Sequence, residues 1–272
     1  MTQIHFKAVA VDLDGNFLTE KKTFDHALFA KVLRKLQANQ IPFICATGNQ
    51  LIRSHEYFDE FTNEVDYVYE NGAILEADGK VFKRIAIDYD TAQKLLHFIQ
   101  TEYPEAIIMV SAQHHCYILK SMDQADKDDI RIYYRDVQEI DQFTDIDPTD
   151  AILKVCLTAD DELAQVIQDR FNEKYGDCIR GTSSGNMTID LVHKGINKAA
   201  GIAEMLKHYG IEQKDLIAFG DGENDIDMLK ACGYSYAMKN ANEKTKAVAK
   251  YEAPSNDDNG VLKVLAKYLD ID

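Results

Sequence analysis

The sequence predicts an α/β protein: an open, doubly wound parallel sheet built from two chain segments, 1–82 and 193–272, with an α+β domain, 83–192, inserted between them. Three observations predict it. Short apolar runs without helical period alternate with stretches of helical spacing, the rhythm of βαβ units. That rhythm stops near Lys83 and resumes after "HKGIN". Three of the apolar runs end in polar clusters, "VDLDGN", "ATGN" and "FGDGEND", and open parallel sheets bind ligands beyond such carboxyl ends.

Taken in order, "FKAVAVDLD" is a buried strand, and residues 24–40 place Leu28, Val32, Leu33 and Leu36 on one helical face. Residues 41–49 form a second strand and "YVYENGAIL" (67–75) a third, with Asn71-Gly72 as a turn signal and Asp78-Gly79 as a hairpin. In the insert, "DYDTAQKLLHFIQTEY" reads as a helix and "AIIMVSAQHHCYILK" as a two-stranded hairpin. Residues 122–150 read as irregular, with "MDQADKDD" a solvated face. A strand, a helix and two strands complete the insert. Adjacent residues of a strand point to opposite faces, so His114 and His115 cannot share an ion and read as structural. After 193 come a helix stopped by Gly210, the strand ending "GDGEND", a helix, the strand "YSYAM" and a closing helix.

The 272 residues are 46% hydrophobic and carry a net charge of -16. Such a chain repels nucleic-acid backbones and anionic membrane surfaces, so neither is expected as a partner. The five cysteines are scattered without a CxxC and read as reduced core thiols. No basic segment followed by a long apolar stretch opens the sequence, and a cytoplasmic protein, monomeric or weakly homo-oligomeric, is expected.

The strand-end clusters gather Asp12, Asp14, Thr47, Gly48, Asp221, Asn224 and Asp225 at one crevice. An isolated DxD is more often a turn than a site; the coincidence with two further clusters carries the functional reading. Carboxylates brought together raise one another's pKa or demand a cation. Oxygen ligands suit Mg²⁺, which commonly bridges to substrate phosphate.

At these residues the sequence resembles the haloacid-dehalogenase-like (HAD) hydrolases, whose core is Rossmann-like. "VDLDG" at Asp12–Gly15 matches the first family motif, Thr47 in "ATGN" the second, Lys198 in "KGINKAAGI" the third, and "GDGEND" at Gly220–Asp225 the fourth. "YENGA", "AMKNANEKTKAVA" and "SNDDNGV" resemble signatures of the Cof-type branch, which carries an α/β cap between the second and third motifs. The resemblance spans essentially the whole chain, and similarity to bacterial sugar phosphatases implies a small phosphorylated substrate. It implies Asp12 as nucleophile, Asp14 as general acid and base, and Lys198 as the charge on the transferred phosphoryl group. Mg²⁺ would be held by Asp12, the backbone carbonyl of Asp14 and Asp221, with Asp225 behind them orienting a metal-bound water or Lys198. Thr47 and Gly48 would contact phosphate, and Asn224 would donate to the phosphate or to Asp12. Asn71 and the cap residues Ser183, Ser184, Gly185 and Asn186 would contact sugar hydroxyls, although a solvated hairpin tip explains the latter group as well. Lys194 is a rival to Lys198, and the third motif decides for Lys198. Two departures stand out: Asn49-Gln50 follows Gly48 where Thr-Gly-Arg is commoner, and Asn16 replaces the usual Thr after DxDG.

Two other functions fit parts of this pattern. A phosphomutase or phosphotransferase would use the same aspartyl-phosphate. A phospho-receiver module would share the sheet, acidic pair, Thr and Lys, but would accept phosphate on an aspartate ending its third strand, where this chain has "YENG".

Overall fold

The structure is a computed structural model and describes residues 4–158, 161–185 and 188–271. The chain forms two compact units, Met1–Arg84 with Asn197–Asp272, and Ile85–Ile196.

The first segment of the larger unit runs β1 (Ala8–Val11), α1 (His26–Ala38), β2 (Phe43–Ala46), α2 (Leu51–Phe58), β3 (Asp66–Tyr69), β4 (Ile74–Ala77) and β5 (Lys80–Arg84). The smaller unit runs α3 (Tyr89–Glu102), β6 (Ile108–Ala112), β7 (Cys116–Leu119), α4 (Gln124–Tyr133), β8 (Val137–Ile140), β9 (Ile152–Thr158), α5 (Asp161–Tyr175), β10 (Ile179–Gly185) and β11 (Thr188–His193). The chain then returns to the larger unit with α6 (Lys198–Tyr209), β12 (Leu216–Gly220), α7 (Ile226–Ala231), β13 (Tyr234–Met238), α8 (Glu243–Lys246), β14 (Tyr251–Ala253) and α9 (Gly260–Tyr268).

The larger sheet has the order β14-β13-β12-β1-β2-β3-β4-β5. Strands β14 through β3 are parallel to their neighbours, and β4 and β5 close the edge antiparallel. The chain moves outward from β1 on one side and comes back beside it as β12. The strand order therefore reverses between β1 and β12, which opens a crevice at their carboxyl ends. Register pairs Val11 with Phe219, so Asp12 and Gly220 leave the sheet side by side.

The apolar pattern explains the layers. Ala8, Ala10, Ile44, Ala46 and Ala218 pack with Ile202, Met205 and Leu206 of α6 and with Met228 and Leu229 of α7. The opposite face carries Phe17, Phe24, Phe29, Phe43 and Phe58, with Phe17 within 5.5 Å of each of the others. Asp25 caps α1 by accepting from the Leu28 N–H at 2.9 Å. The buried face of α1 is Phe29, Val32, Leu33 and Leu36; Phe29 takes the place expected of Leu28 because it completes the aromatic layer.

The smaller sheet has the order β10-β11-β9-β6-β7-β8 and is antiparallel except for β7 with β8. Leu95 and Ile99 of α3 and Ile167 and Phe171 of α5 pack with Val110 and Val155 of this sheet.

Several expectations are corrected. The run 67–75 is two strands, because Glu70–Gly72 makes a turn with Asn71 at φ 56° and Gly72 at φ 108°. The stretch 122–150 contains α4 and β8. The acidic run masks a helix anchored by buried Lys127, which donates to Glu139 and to the Lys120 carbonyl, both at 2.7 Å. His114 and His115 lie in the turn between β6 and β7, beside Asp150. Strand β11 continues to His193, so the chain re-enters the larger unit at Asn197. No helix among the described residues is long and apolar enough to cross a membrane.

Candidate active site

Strand β1 stops at Val11, and the pleat does not continue through Asp12 and Asp14. Instead the chain coils: the Phe17 N–H donates to the Asp12 carbonyl at 3.2 Å and the Leu18 N–H to the Leu13 carbonyl at 2.9 Å. Gly15 makes this possible. Its φ is +73°, and a Cβ there would lie 2.4 Å from Asp221 Oδ2. Phe17 anchors the coil in the aromatic layer. The two aspartates consequently separate, Asp12 being buried and Asp14 partly exposed.

Asp12 Oδ1 accepts from the Leu13 N–H at 2.7 Å, and Oδ2 lies 2.8 Å from Lys198 Nζ. Lys198 opens α6, capped by Asn197, which accepts from the Ala200 N–H at 2.8 Å. Gly72, at φ +108°, lets this helix end approach; a Cβ there would sit 2.5 Å from the Asn197 carbonyl. The Lys198 side chain is 1% exposed, and its ammonium also donates to Asp225 Oδ1 at 2.9 Å. Burial opposes its charge, but the carboxylates of Asp12 and Asp225 outweigh that and raise its pKa. Asp225 is itself held by the N–H groups of Asp221 and Gly222, at 3.0 and 3.1 Å on Oδ2.

Asp221 faces this pair without comparable support: its Oδ1 is buried with no hydrogen-bond partner among the described residues. Carboxylate oxygens of Asp12, Asp221 and Asp225 lie within 4.8 Å of one another. Burial pushes the Asp12 pKa up; Lys198 pulls it back and the charges of Asp225 and Asp14 add to the rise, leaving it at about 7. Burial, then the charges of Asp12 and Asp225, push Asp221 up to about 8. An acidic cluster with an orphaned oxygen and disfavoured ionisation fits a hard divalent cation, which supplies the missing positive charge. Asp225, already occupied by three donors, is the member least free to ligate.

The end of β2 forms the adjoining wall. Buried Thr47 takes the Val68 carbonyl on its N–H at 2.9 Å and offers its own carbonyl to the Asn71 N–H at 3.0 Å. The Asn71 amide packs over Gly48, 3.2 Å from where a side chain would begin. Thr47 Oγ1 accepts from the Asn49 N–H at 3.0 Å, and Asn49 Nδ2 donates to Asp14 Oδ2 at 2.9 Å. Asp14 Oδ1 meets Lys22 Nζ at 2.5 Å. Asn224 sits exposed on the turn before α7. Asn186 lies outside the described residues, as do the side chains of Ser183 and Ser184. Lys194 pairs with exposed Asp177.

Residue-level reasoning missed Lys22, Asn49 and three asparagines. Asn240 donates to the Gly15 carbonyl at 2.7 Å, Asn242 to the Asp221 carbonyl at 3.3 Å, and Asn256 to the Leu18 carbonyl at 3.0 Å. Their stretches, "AMKNANEKTKAVA" and "SNDDNGV", are legible as signatures, but the backbone partners are fixed only by the fold. Asn16 is 1% exposed, and its amide atoms have no hydrogen-bond partner among the described residues.

Comparison with known proteins agrees with this architecture. Residues 9–265 match the family model described as haloacid dehalogenase-like hydrolase. The chain is 35% identical over 97% of its length, and 96% of the relative's, to the 5-amino-6-(5-phospho-D-ribitylamino)uracil phosphatase YbjI of Escherichia coli K12. It is 24% identical to a Bacillus subtilis phosphatase of the same description, YitU, with 97% of each chain covered. The solved structure of SMU.1108c from Streptococcus mutans UA159 superimposes with a TM-score of 0.90 at 32% identity, covering 97% of this chain and 99% of the other. The motifs at the mouth of the sheet and these matches lead to one conclusion: the chain belongs to the haloacid dehalogenase-like hydrolase family.

Proposed function

We propose that the protein is a Mg²⁺-dependent phosphatase of small phosphorylated metabolites, sugar or sugar-alcohol phosphates, working through an aspartyl-phosphate on Asp12. The observation that carries this reading is the pairing of a buried carboxylate, Asp12, with a buried ammonium, Lys198, next to the orphaned oxygen of Asp221. Asp12 attacks phosphorus, the bond to the leaving oxygen breaks, and its electron pair stays on that oxygen, which takes a proton from Asp14. Asp14 then removes a proton from water. The water oxygen attacks phosphorus, the bond to Asp12 breaks, and alcohol and inorganic phosphate are released. Lys198, fixed by Asp225, supplies positive charge to the phosphoryl oxygens, and Thr47 with the Gly48 N–H donates to them. Asp12, the Asp14 carbonyl and Asp221 are the residues that would hold Mg²⁺, whose chemistry there is to neutralise the phosphate and the acidic cluster together.

The substrate class is supported by the relative 35% identical to this chain, named for a phosphorylated ribityl side chain. A ribityl phosphate is a phosphomonoester of a primary alcohol on a polyol, the chemistry expected from the sugar-phosphatase resemblance. In this reading the insert, Ile85–Ile196, selects the substrate. A screen of sugar phosphates, ribitol 5-phosphate and flavin mononucleotide for phosphate release, with Mg²⁺ and with chelator, tests it. Steady release from a monophosphate, without added bisphosphate and lost on chelation, is expected. Dependence on a bisphosphate, or single turnover with a long-lived phosphoprotein, would overturn it.

A further inference from the structure

Asn49 has no part in the reaction as written above, yet its side chain joins the loop after β2 to Asp14. We propose that Asn49 is a positioning residue that fixes the Asp14 carboxylate for proton transfer to the leaving oxygen. Substrates with poor leaving groups depend on it most. This rests on the acid role given to Asp14.

Asn49 is held independently of Asp14. Its N–H donates to Thr47 Oγ1 at 3.0 Å, and its carbonyl accepts from the Glu70 N–H at 3.3 Å. Next to it, the Asn71 N–H donates to the Thr47 carbonyl at 3.0 Å. The amide therefore starts from backbone tied to the ends of β2 and β3. Asp14, by contrast, lies past the end of β1 on a coil, and its carboxylate is partly exposed. It also pairs with Lys22, a half-exposed ammonium on a residue with φ 57°. Exposed ion pairs hold geometry weakly and are screened by salt. The Asn49 contact, 2.9 Å and part-buried, is better fixed than this ion pair.

The residue type matters. A guanidinium, commoner in the family two residues after the Thr, can fork both oxygens of a carboxylate and adds a charge. An amide donates one N–H to one oxygen. It aims the carboxylate without adding a cation.

The test compares kcat and KM of the full chain and its Asn49→Ala, Asn49→Gln and Asp14→Asn variants, with Mg²⁺, on two substrates. Ribitol 5-phosphate leaves as an alkoxide and needs the proton; p-nitrophenyl phosphate leaves as a stabilised phenolate and does not. Asn49→Ala should lower kcat/KM, which reports transfer to Asp12 and not the hydrolysis step common to both substrates, by about 10–100-fold on the alkyl phosphate and by less than about 3-fold on p-nitrophenyl phosphate. Asn49→Gln, which keeps the amide, should recover part of the loss. Asn49→Ser carries the same comparison if the alanine variant does not fold. Equal losses of kcat/KM on both substrates, or no loss, would each overturn the proposal. Asp14→Asn separates the premises. If it too lowers kcat/KM on both substrates equally, the acid role of Asp14 fails; if it discriminates and Asn49→Ala does not, only the positioning role fails.

Discussion

Two carboxylates, one in each unit, are handled in opposite ways. Asp150 of the smaller unit is buried and surrounded by donors: the His114 N–H at 2.9 Å, His115 Nδ1 at 2.9 Å and the Tyr117 hydroxyl at 3.0 Å. Asp221 of the larger unit keeps a buried oxygen with no hydrogen-bond partner among the described residues, and it faces Asp12 and Asp225. The first arrangement ties a hairpin to the loop before β9 and leaves its acid satisfied. The second stores like charges at the mouth of a sheet. A buried acid met by donors is architecture; a buried acid met by other acids is the arrangement on which the proposed function rests.

The contrast breaks most directly at Asp12. Asp12→Asn should reduce phosphate release by about 10⁴-fold or more, while the metal-free protein gains thermal stability because one of the repelling charges is gone. Retained turnover in a freshly prepared sample would remove Asp12 from the chemistry.

A smaller effect comes from pH. Asp12 and Asp221 have folded pKa values of about 7 and about 8, above the ordinary 3.8. Between pH 4 and 8 the folded state therefore binds more protons than the unfolded one, so stability falls as pH rises through that window. The contribution is full below the ordinary carboxylate pKa and is lost above the folded values. Urea melts of metal-free protein should show stability falling steadily between pH 5 and pH 8. Mg²⁺ should restore more stability at pH 8 than at pH 5. Equal Mg²⁺ effects at both values would sink the idea that these carboxylates take the ion.

Smallest is the change in the other unit. Asp150→Ala removes the acceptor of three donors and should cost about 2–3 kcal/mol, read by denaturant melts. Turnover of p-nitrophenyl phosphate per folded molecule should be unchanged; an altered kcat would mean Asp150 is more than architecture.

The fold was legible because parallel strands buried on both faces read as short apolar runs, and because polar residues cluster where those runs end. "AVAV" before Asp12 and "LIAFG" before Asp221 announce both the sheet and its mouth. The helix α4 was hidden because its charged residues outnumber its apolar ones, and its anchor is a lysine, Lys127. The acidic cluster could be anticipated from topology. The contacts of Asn49, Lys22, Asn240 and Asn256 could not, since each joins residues whose proximity depends on how turns close. Asn16 was visible as a departure from the family pattern; that it would be buried with its amide unpartnered follows only from the coil that Gly15 and Phe17 impose.

The asparagine ties to the first motif also set an order of events in synthesis. Asn240 and Asn256 hold the carbonyls of Gly15 and Leu18 across 225 and 238 residues of sequence. At roughly 5–20 residues per second, a ribosome makes Asp12 tens of seconds before it makes the groups that fasten the loop around it. Lys198, Asp221 and Asp225 arrive late as well. A nascent or truncated chain thus carries Asp12 without Lys198, without the facing carboxylates and without the restraints on the loop, and the acidic cluster is complete only after β12 has been made.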